Sequence, residues 1–177
     1  ALCRRLKASD RDAFERVFTA LHDALFRYVR SMTDTPATAA DITQDVFVSL
    51  WEARERFDPS RSLEAYVFRM ARNRVYNHQR DRQVRRDNKE HLRDAHPDAS
   101  PPSPDKTLDA DLLRSLLEQW ICELPDRQRE ALTLRRQNDL SHDEIANVMD
   151  VSPNTVNNHI VRAMKYLRGR LRDHRPD

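Results

Sequence analysis

Apolar side chains recur along the first third of the chain at intervals of three and four. From Asp10 onward, Phe14, Val17, Phe18, Leu21, Leu25, Phe26 and Val29 hold one face of a helix that ends before Pro36. A second helix is predicted from about Ala37 to Phe57, with Ile42, Val46, Phe47, Leu50 and Trp51 on one side. A third follows the sequence DPSR at 58–61, with Ser62 placed to cap its N-terminus and Glu64 and Ala65 in its first turn. Leu63, Tyr66, Val67, Met70 and Ala71 form its apolar side. Three helices of this kind bury their stripes against one another as a small bundle.

The periodicity then stops. Residues 93–106 read RDAHPDASPPSPDK, with four of the nine prolines and no large apolar side chain, a composition that cannot offset the entropy of ordering. Helical spacing resumes with Leu108, Leu112, Leu113, Leu116, Leu117, Trp120 and Ile121, breaks at Leu124 and Pro125, and continues from Arg127 to Arg136. The expected fold is therefore all-α: two small helical domains, 1–86 and 108–177, joined by a flexible proline-rich linker at 87–107.

The segment SHDEIANVM at 141–149 opens as a capping box, Ser141 at the N-cap and Glu144 three residues on. Ile145, Ala146 and Met149 give a short helix its buried face. Asp150 and Val151 make a tight turn, and Ser152 with Pro153 starts the next helix. There Val156, Ile160, Ala163, Met164, Leu167 and Leu171 face inward, while Asn154, Thr155, Asn157, Asn158, Arg162 and Lys165 face out. This spacing describes a helix-turn-helix whose second helix fits a major groove. Asn pairs bidentately with adenine and Arg with guanine, and shorter polar groups reach phosphate. The turn position that usually holds glycine is Asp150, which tolerates a left-handed conformation better than most residues.

Composition narrows the function classes. Gly169 is the only glycine among 177 residues, where average usage gives about a dozen. Glycine-rich phosphate loops, dinucleotide fingerprints and turn-rich β architectures are thereby excluded. No apolar run approaches the roughly 20 residues of a membrane span, and no signal-peptide pattern opens the chain; no membrane insertion and a cytoplasmic location are expected. Cys3 and Cys122 are too isolated for a disulfide framework or a zinc site and read as two reduced thiols. The seven histidines form no HExxH or metal-spaced cluster and no nucleophile motif is present, so neither enzyme chemistry, a metal nor a cofactor is expected.

Charge is the more informative quantity. Net charge is only +2, but residues 69–86 hold seven arginines against Asp81, and residues 151–175 hold six basic residues against Asp173. The stretch between them, 87–150, is net acidic. Two separated basic blocks, each at the end of a helical pattern, are the footprint of two polyanion contacts. A purely protein-binding adaptor would not need them.

Residues 124–168, LPDRQREALTLRRQNDLSHDEIANVMDVSPNTVNNHIVRAMKYLR, resemble region 4 of sigma-70 family transcription initiation factors. The first half carries the companion resemblance: DAFERVFTALHDALFRYV to region 2.1, ADITQDVFVSLWE to region 2.2, and SLEAYVFRMARNRVYNHQRDR to regions 2.3 and 2.4. With only the linker between them, the order is similar to that of the extracytoplasmic-function, group IV, subfamily. Asp139 and Asp150 stand where that family often has glycine, and Asn157, Asn158 and His159 replace a commonly more basic stretch.

The resemblance implies a protein that docks region 2 on the β′ clamp helices of core RNA polymerase and reads and melts the minus-10 promoter element. Region 4 would sit on the β flap and read the minus-35 duplex. It implies polymerase contacts at Asp41, Gln44, Asp45, Val48 and Trp51, although Phe47 and Trp51 read first as core. It further implies minus-10 contacts at Arg61, Arg69, Arg72, Asn73, Arg74, Asn77 and Arg80, with His78 beside them. The loop around Arg61, beside aromatic residues, can capture a flipped base. An anti-sigma factor is implied as a further partner. Promoter elements two helical turns apart lie roughly 70 Å from each other; a 24-residue tether at 84–107 spans about 75 Å if extended and would be stretched. The alternative, a response-regulator-type regulator suggested by DVSPNTVNNHI, requires an N-terminal α/β receiver, and the first 90 residues lack alternating strands.

Overall fold

Eight helices make up the described residues of the computed structural model, which are 2–87, 108–138 and 140–174. In chain order they are α1 (Leu2–Lys7), α2 (Arg11–Arg30), α3 (Pro36–Ala53), α4 (Leu63–Asp87), α5 (Leu108–Cys122), α6 (Asp126–Asn138), α7 (His142–Met149) and α8 (Pro153–Asp173). Local chemistry sets several starts. Asp10 accepts from the Ala13 amide, Thr35 from Thr38 with Pro36 following, and Ser152 from Thr155 with Pro153 following. Ser62 accepts from Ala65 at 3.2 Å. At α7 the Ser141 hydroxyl takes the Glu144 amide while the Glu144 carboxylate takes the Ser141 amide, so two orphan donors are satisfied at once. The bond from the Ser141 amide holds the Glu144 carboxyl below its ordinary range.

The tight turn of the helix-turn-helix is made without glycine: Asp150 adopts φ 56°, ψ 51°, and the Val151 amide closes on the Ala146 carbonyl. Ser9, between α1 and α2, is the other non-glycine residue at positive φ among the described residues. Gly169, by contrast, lies within α8, where an added Cβ would meet nothing within 4 Å. Gly169→Ala is therefore expected to stabilise the protein by about 0.5–1 kcal/mol, read as a higher urea midpoint; an unchanged or lower midpoint would contradict this account of α8.

Four expectations are corrected. The second helix, expected to run to Phe57, stops at Ala53, and residues 54–56 form a turn that carries Phe57 into the core. The helical pattern was expected to begin at Asp10, yet α1 precedes it and places Leu6 wholly inside the core; six residues are too few for a period to show. Residues 84–87 belong to α4 rather than to a tether. No glycine or proline interrupts α4 there, and Arg82 ties the helix back to Asp34 on the α2–α3 turn. The remainder of the expected linker, 88–107, lies outside the described residues. Leu171 is exposed rather than inward, because α5 meets this end of α8 through Trp120, whose ring packs on His174 at 5.8 Å and lies under the Arg170 guanidinium.

The two halves are not held apart. One apolar cluster runs from Val17, Leu21 and Leu25 of α2, through Val46 and Leu50 of α3 and Val67, Phe68 and Val75 of α4, into Ala131 and Leu134 of α6 and Ile145, Val148 and Met149 of α7. α4 packs on α7 and α2 on α6. A smaller cluster of Leu124, Leu132 and Ala163 joins α6 to α8.

Candidate functional site

Three exposed surfaces and one buried seam gather the residues with chemistry. The first surface is on α3. Asp41, Gln44, Asp45 and Val48 are all exposed, with Val48 retaining 51% of its surface. They recur at intervals of three and four, so α3 presents them along one side. Trp51 joins them only partly: it is half-buried, with the Phe14 ring at 5.2 Å and the Arg54 guanidinium 4.4 Å from its centre. Between α2 and α3 runs a groove of about 540 Å³ lined by Phe14, Phe18, Phe47, Val48 and Trp51, with His22 at one end. The periodicity put Phe18 wholly in the core, whereas it is 39% exposed and its ring lies 4.7 Å from that of Phe47. Its partial exposure depends on how far α3 sits from α2, which spacing along one helix does not encode.

The second surface follows α4. Arg69, Asn73, Asn77 and Arg80 are exposed and spaced along one face. Two arginines expected with them are engaged elsewhere. Arg74 turns to α3, where it hydrogen-bonds Ser49 and pairs with Asp45 at 3.3 Å. Arg72 turns into the seam, and its side chain is 11% exposed. His78 is half-buried.

At the start of α4 lies a pocket of about 600 Å³, lined by Phe57, Asp58, Arg61, Tyr66 and Arg69 from the first half and by Glu144 and Asn147 of α7. Phe57 and Tyr66 lie ring to ring at 5.2 Å. Asp58 shapes the loop by accepting from the Ser60 amide and hydroxyl, which lowers its pKa. Arg61 stays largely in solvent, 3.5 Å from Asp58. Glu64, nearby, has its carboxyl pushed up by partial burial and by the charge of Glu144.

The third surface is α8. Asn154, Asn157, Asn158, Arg162 and Lys165 are exposed on one face. Thr155 is half-buried and its hydroxyl is paired with that of Ser152 at 2.8 Å, so it serves the helix start. Val161 sits within the same exposed face and keeps 56% of its surface. Its place seven residues after Asn154 and four before Lys165 puts it on this stripe. His159 is half-buried, its pKa lowered by burial and then by the charges of Arg162 and Arg127.

In the seam, the Glu130 carboxylate of α6 has no solvent exposure and collects four donors. Tyr28 donates to Oε1 at 3.1 Å, the Arg72 Nε to Oε1 at 2.8 Å, the Tyr76 hydroxyl to Oε2 at 3.1 Å and Arg127 Nη1 to Oε2 at 3.4 Å. Both guanidiniums lie over the Tyr76 ring, at 4.6 and 5.4 Å. Burial and the adjacent carboxylate raise the Tyr28 hydroxyl well above its ordinary pKa, so it remains a donor. No sequence pattern marked this cluster, since Tyr28, Arg72 and Tyr76 lie 54 to 102 positions from Glu130.

Among the described residues no cluster of His, Cys, Asp or Glu is arranged to hold a metal, and no helix is long and apolar enough to cross a membrane.

Comparison with known proteins gives the same order of parts. The family description "Sigma-70 region 2" matches residues 17–85 and "Sigma-70, region 4" matches residues 114–167. The RNA polymerase sigma factor NccH of Alcaligenes xylosoxydans is 28% identical over 165 residues, covering 92% of this chain and 89% of that protein. The ECF RNA polymerase sigma factor SigW of Bacillus subtilis is 26% identical over 182 residues, covering 96% and 95%. In fold, the sigma factor RpoE of Bartonella quintana, solved in complex with the anti-sigma factor NepR, superposes with a TM-score of 0.76 at 22% identity, covering 92% of this chain and 98% of that one.

Proposed function

The chain belongs to the sigma-70 family, as a sigma factor of the extracytoplasmic-function type, and from this premise we propose how its surfaces divide the work of directing RNA polymerase to promoters. As such a factor it binds core RNA polymerase and promoter DNA and catalyses no bond change itself. The exposed α3 face, Asp41, Gln44, Asp45 and Val48, docks on the polymerase β′ clamp helices, with Trp51 and the aromatic groove as its apolar edge. The observation that carries the division is the separation of an acidic, partly apolar face on α3 from cationic and amide stripes on α4 and α8. The α5–α6 end of the second half is assigned to the β flap.

On DNA, the α4 stripe of Arg69, Asn73, Asn77 and Arg80 follows the strand of the melted minus-10 element, joined by Arg72 once it is released from the seam. Arg74 positions this stripe by fixing α4 to α3. The pocket of Phe57, Arg61 and Tyr66 receives an extruded base. Extrusion costs a few kcal/mol per base, and ring stacking with phosphate contact offsets it. The α8 stripe reads the minus-35 duplex: Asn157 and Asn158 suit adenine, Arg162 suits guanine, and Val161 suits a thymine methyl. Asn154 and Lys165 at the ends of the stripe reach phosphate, with Thr155 holding the helix start. An anti-sigma factor is a further expected partner, a reading supported by the complex in which the Bartonella quintana relative was solved.

The test is run-off transcription with core polymerase and a genomic promoter library. Promoter-specific transcripts should appear only when this protein is added; polymerase that starts at the same sites without it would overturn the reading. With promoters in hand, Arg162→Ala should lower transcription from minus-35-dependent sites by about 5- to 100-fold, the equivalent of one good bidentate pair at about 1–3 kcal/mol. Substituting Asn157 and Asn158 together should change which minus-35 bases are preferred. A double variant with unaltered preferences at every position would remove these residues from direct readout.

A further inference from the structure

We infer that Glu130 is a polar latch that holds the free protein closed, with Arg72 sequestered and the base pocket walled by its own second half, and that polymerase engagement requires this latch to open. The inference rests on the promoter-reading assignment above for its consequence, and on the seam alone for its existence.

At this point of a seam that is otherwise apolar, well-packed hydrophobic side chains would commonly match or better a buried ion pair. Glu130 is instead a wholly buried carboxylate, and three of its four donors, Tyr28, Arg72 and Tyr76, come from the other half of the chain. These groups are satisfied by one another when the halves meet and by water when they part. Neither state leaves an uncompensated buried charge, so the polar part of the seam does not oppose parting, and the apolar cluster across it sets how far the closed form is favoured.

Closure also has a steric consequence. Arg72, expected to face DNA, is sequestered, and α7 contributes Glu144 and Asn147 to the wall of the base pocket. The α8 stripe remains exposed. Two promoter elements about two helical turns apart are separated by roughly 70 Å, a distance that halves sharing one apolar cluster cannot cover. Opening is therefore obligatory for two-element promoters, and the closed fraction of the free protein lowers its apparent affinity for polymerase in proportion.

The experiment uses the full chain with Cys3→Ser, a spin label on Cys122 of α5 and a second on Arg16→Cys of α2. Both labelled positions are exposed. The free protein should give a short, narrow distance distribution by pulsed electron resonance. Glu130→Gln opposes an amide N–H₂ to the Tyr and Arg donors and should shift the distribution to longer, broader distances. Tyr28→Phe keeps the ring against Phe68 and removes one donor, and should give a smaller shift in the same direction. Circular dichroism must show native helicity in both; should Glu130→Gln fail to fold, Tyr28→Phe decides alone. A long, broad distribution without these substitutions, or a folded variant that keeps the short distance, overturns the latch.

Binding to core polymerase is the second arm. Glu130→Gln should bind about three- to tenfold more tightly, as expected when the competent fraction rises from roughly a tenth or a third to nearly one. Equal or weaker binding by an opened variant overturns the inhibitory role. Failure of the unsubstituted protein to bind polymerase at all would instead remove the promoter-reading assignment, while the distance measurement would still report on the latch.

Discussion

Val48→Asp is expected to weaken binding to core polymerase by roughly 30-fold or more, the loss that about 2 kcal/mol at a central interface residue carries. Val48 is an exposed valine between Gln44 and Trp51 on α3, at the lip of the aromatic groove. In the free protein an aspartate there is solvated and costs little. In the complex it must either lose its water without a partner or hold the surfaces apart. Fluorescence competition against labelled wild-type protein measures the affinity, and a thermal melt checks that the bundle is intact. Wild-type affinity in a variant with a wild-type melt would take α3 out of the polymerase contact.

A comparable loss is expected from within. Phe68 is fully buried on α4, its ring 5.3 Å from that of Tyr28, so Phe68→Ala removes a large core side chain and should destabilise the protein by about 3–5 kcal/mol. Set against typical stabilities of about 5–15 kcal/mol, that is a large share. Because the apolar cluster is continuous from α2 to α7, the substitution should also loosen the second half, and denaturation followed by tryptophan fluorescence and by circular dichroism should shift together to a lower midpoint. Phe68→Leu, which keeps most of the volume, should recover most of the loss. A Phe68→Ala protein within 1 kcal/mol of wild type would mean that α4 is held chiefly by its polar edges.

The helices were legible in the sequence wherever one face was repeatedly apolar: α2, the start of α3, α7 and the first turns of α8 lie where the spacing puts them, and the caps at Ser62, Ser141 and Ser152 follow from side-chain chemistry alone. What escaped was set by contacts between distant segments. Arg72 carries the same sequence signal as Arg69, yet one faces Glu130 and the other faces solvent. Phe18 looks like a core residue because its environment is fixed by how the neighbouring helix sits, not by its own helix's period. The left-handed Asp150 was readable because its position in a tight turn leaves few backbone options. The four-donor cage on Glu130 was not, because its partners are brought together only by folding.

The groove between α2 and α3 carries a consequence for chemical intervention. Its volume, about 540 Å³, falls within the range of small-molecule sites, about 300–1,000 Å³, and its walls are mostly aromatic, with His22 and Gln44 as polar anchors at the rim. A flat aromatic compound that packed against Phe18 and Val48 and hydrogen-bonded Gln44 would occupy the edge of the polymerase face without resembling a nucleotide. Such a compound would act before any promoter is chosen, and its selectivity among related factors would rest on the rings lining this one cleft rather than on the sequences they read.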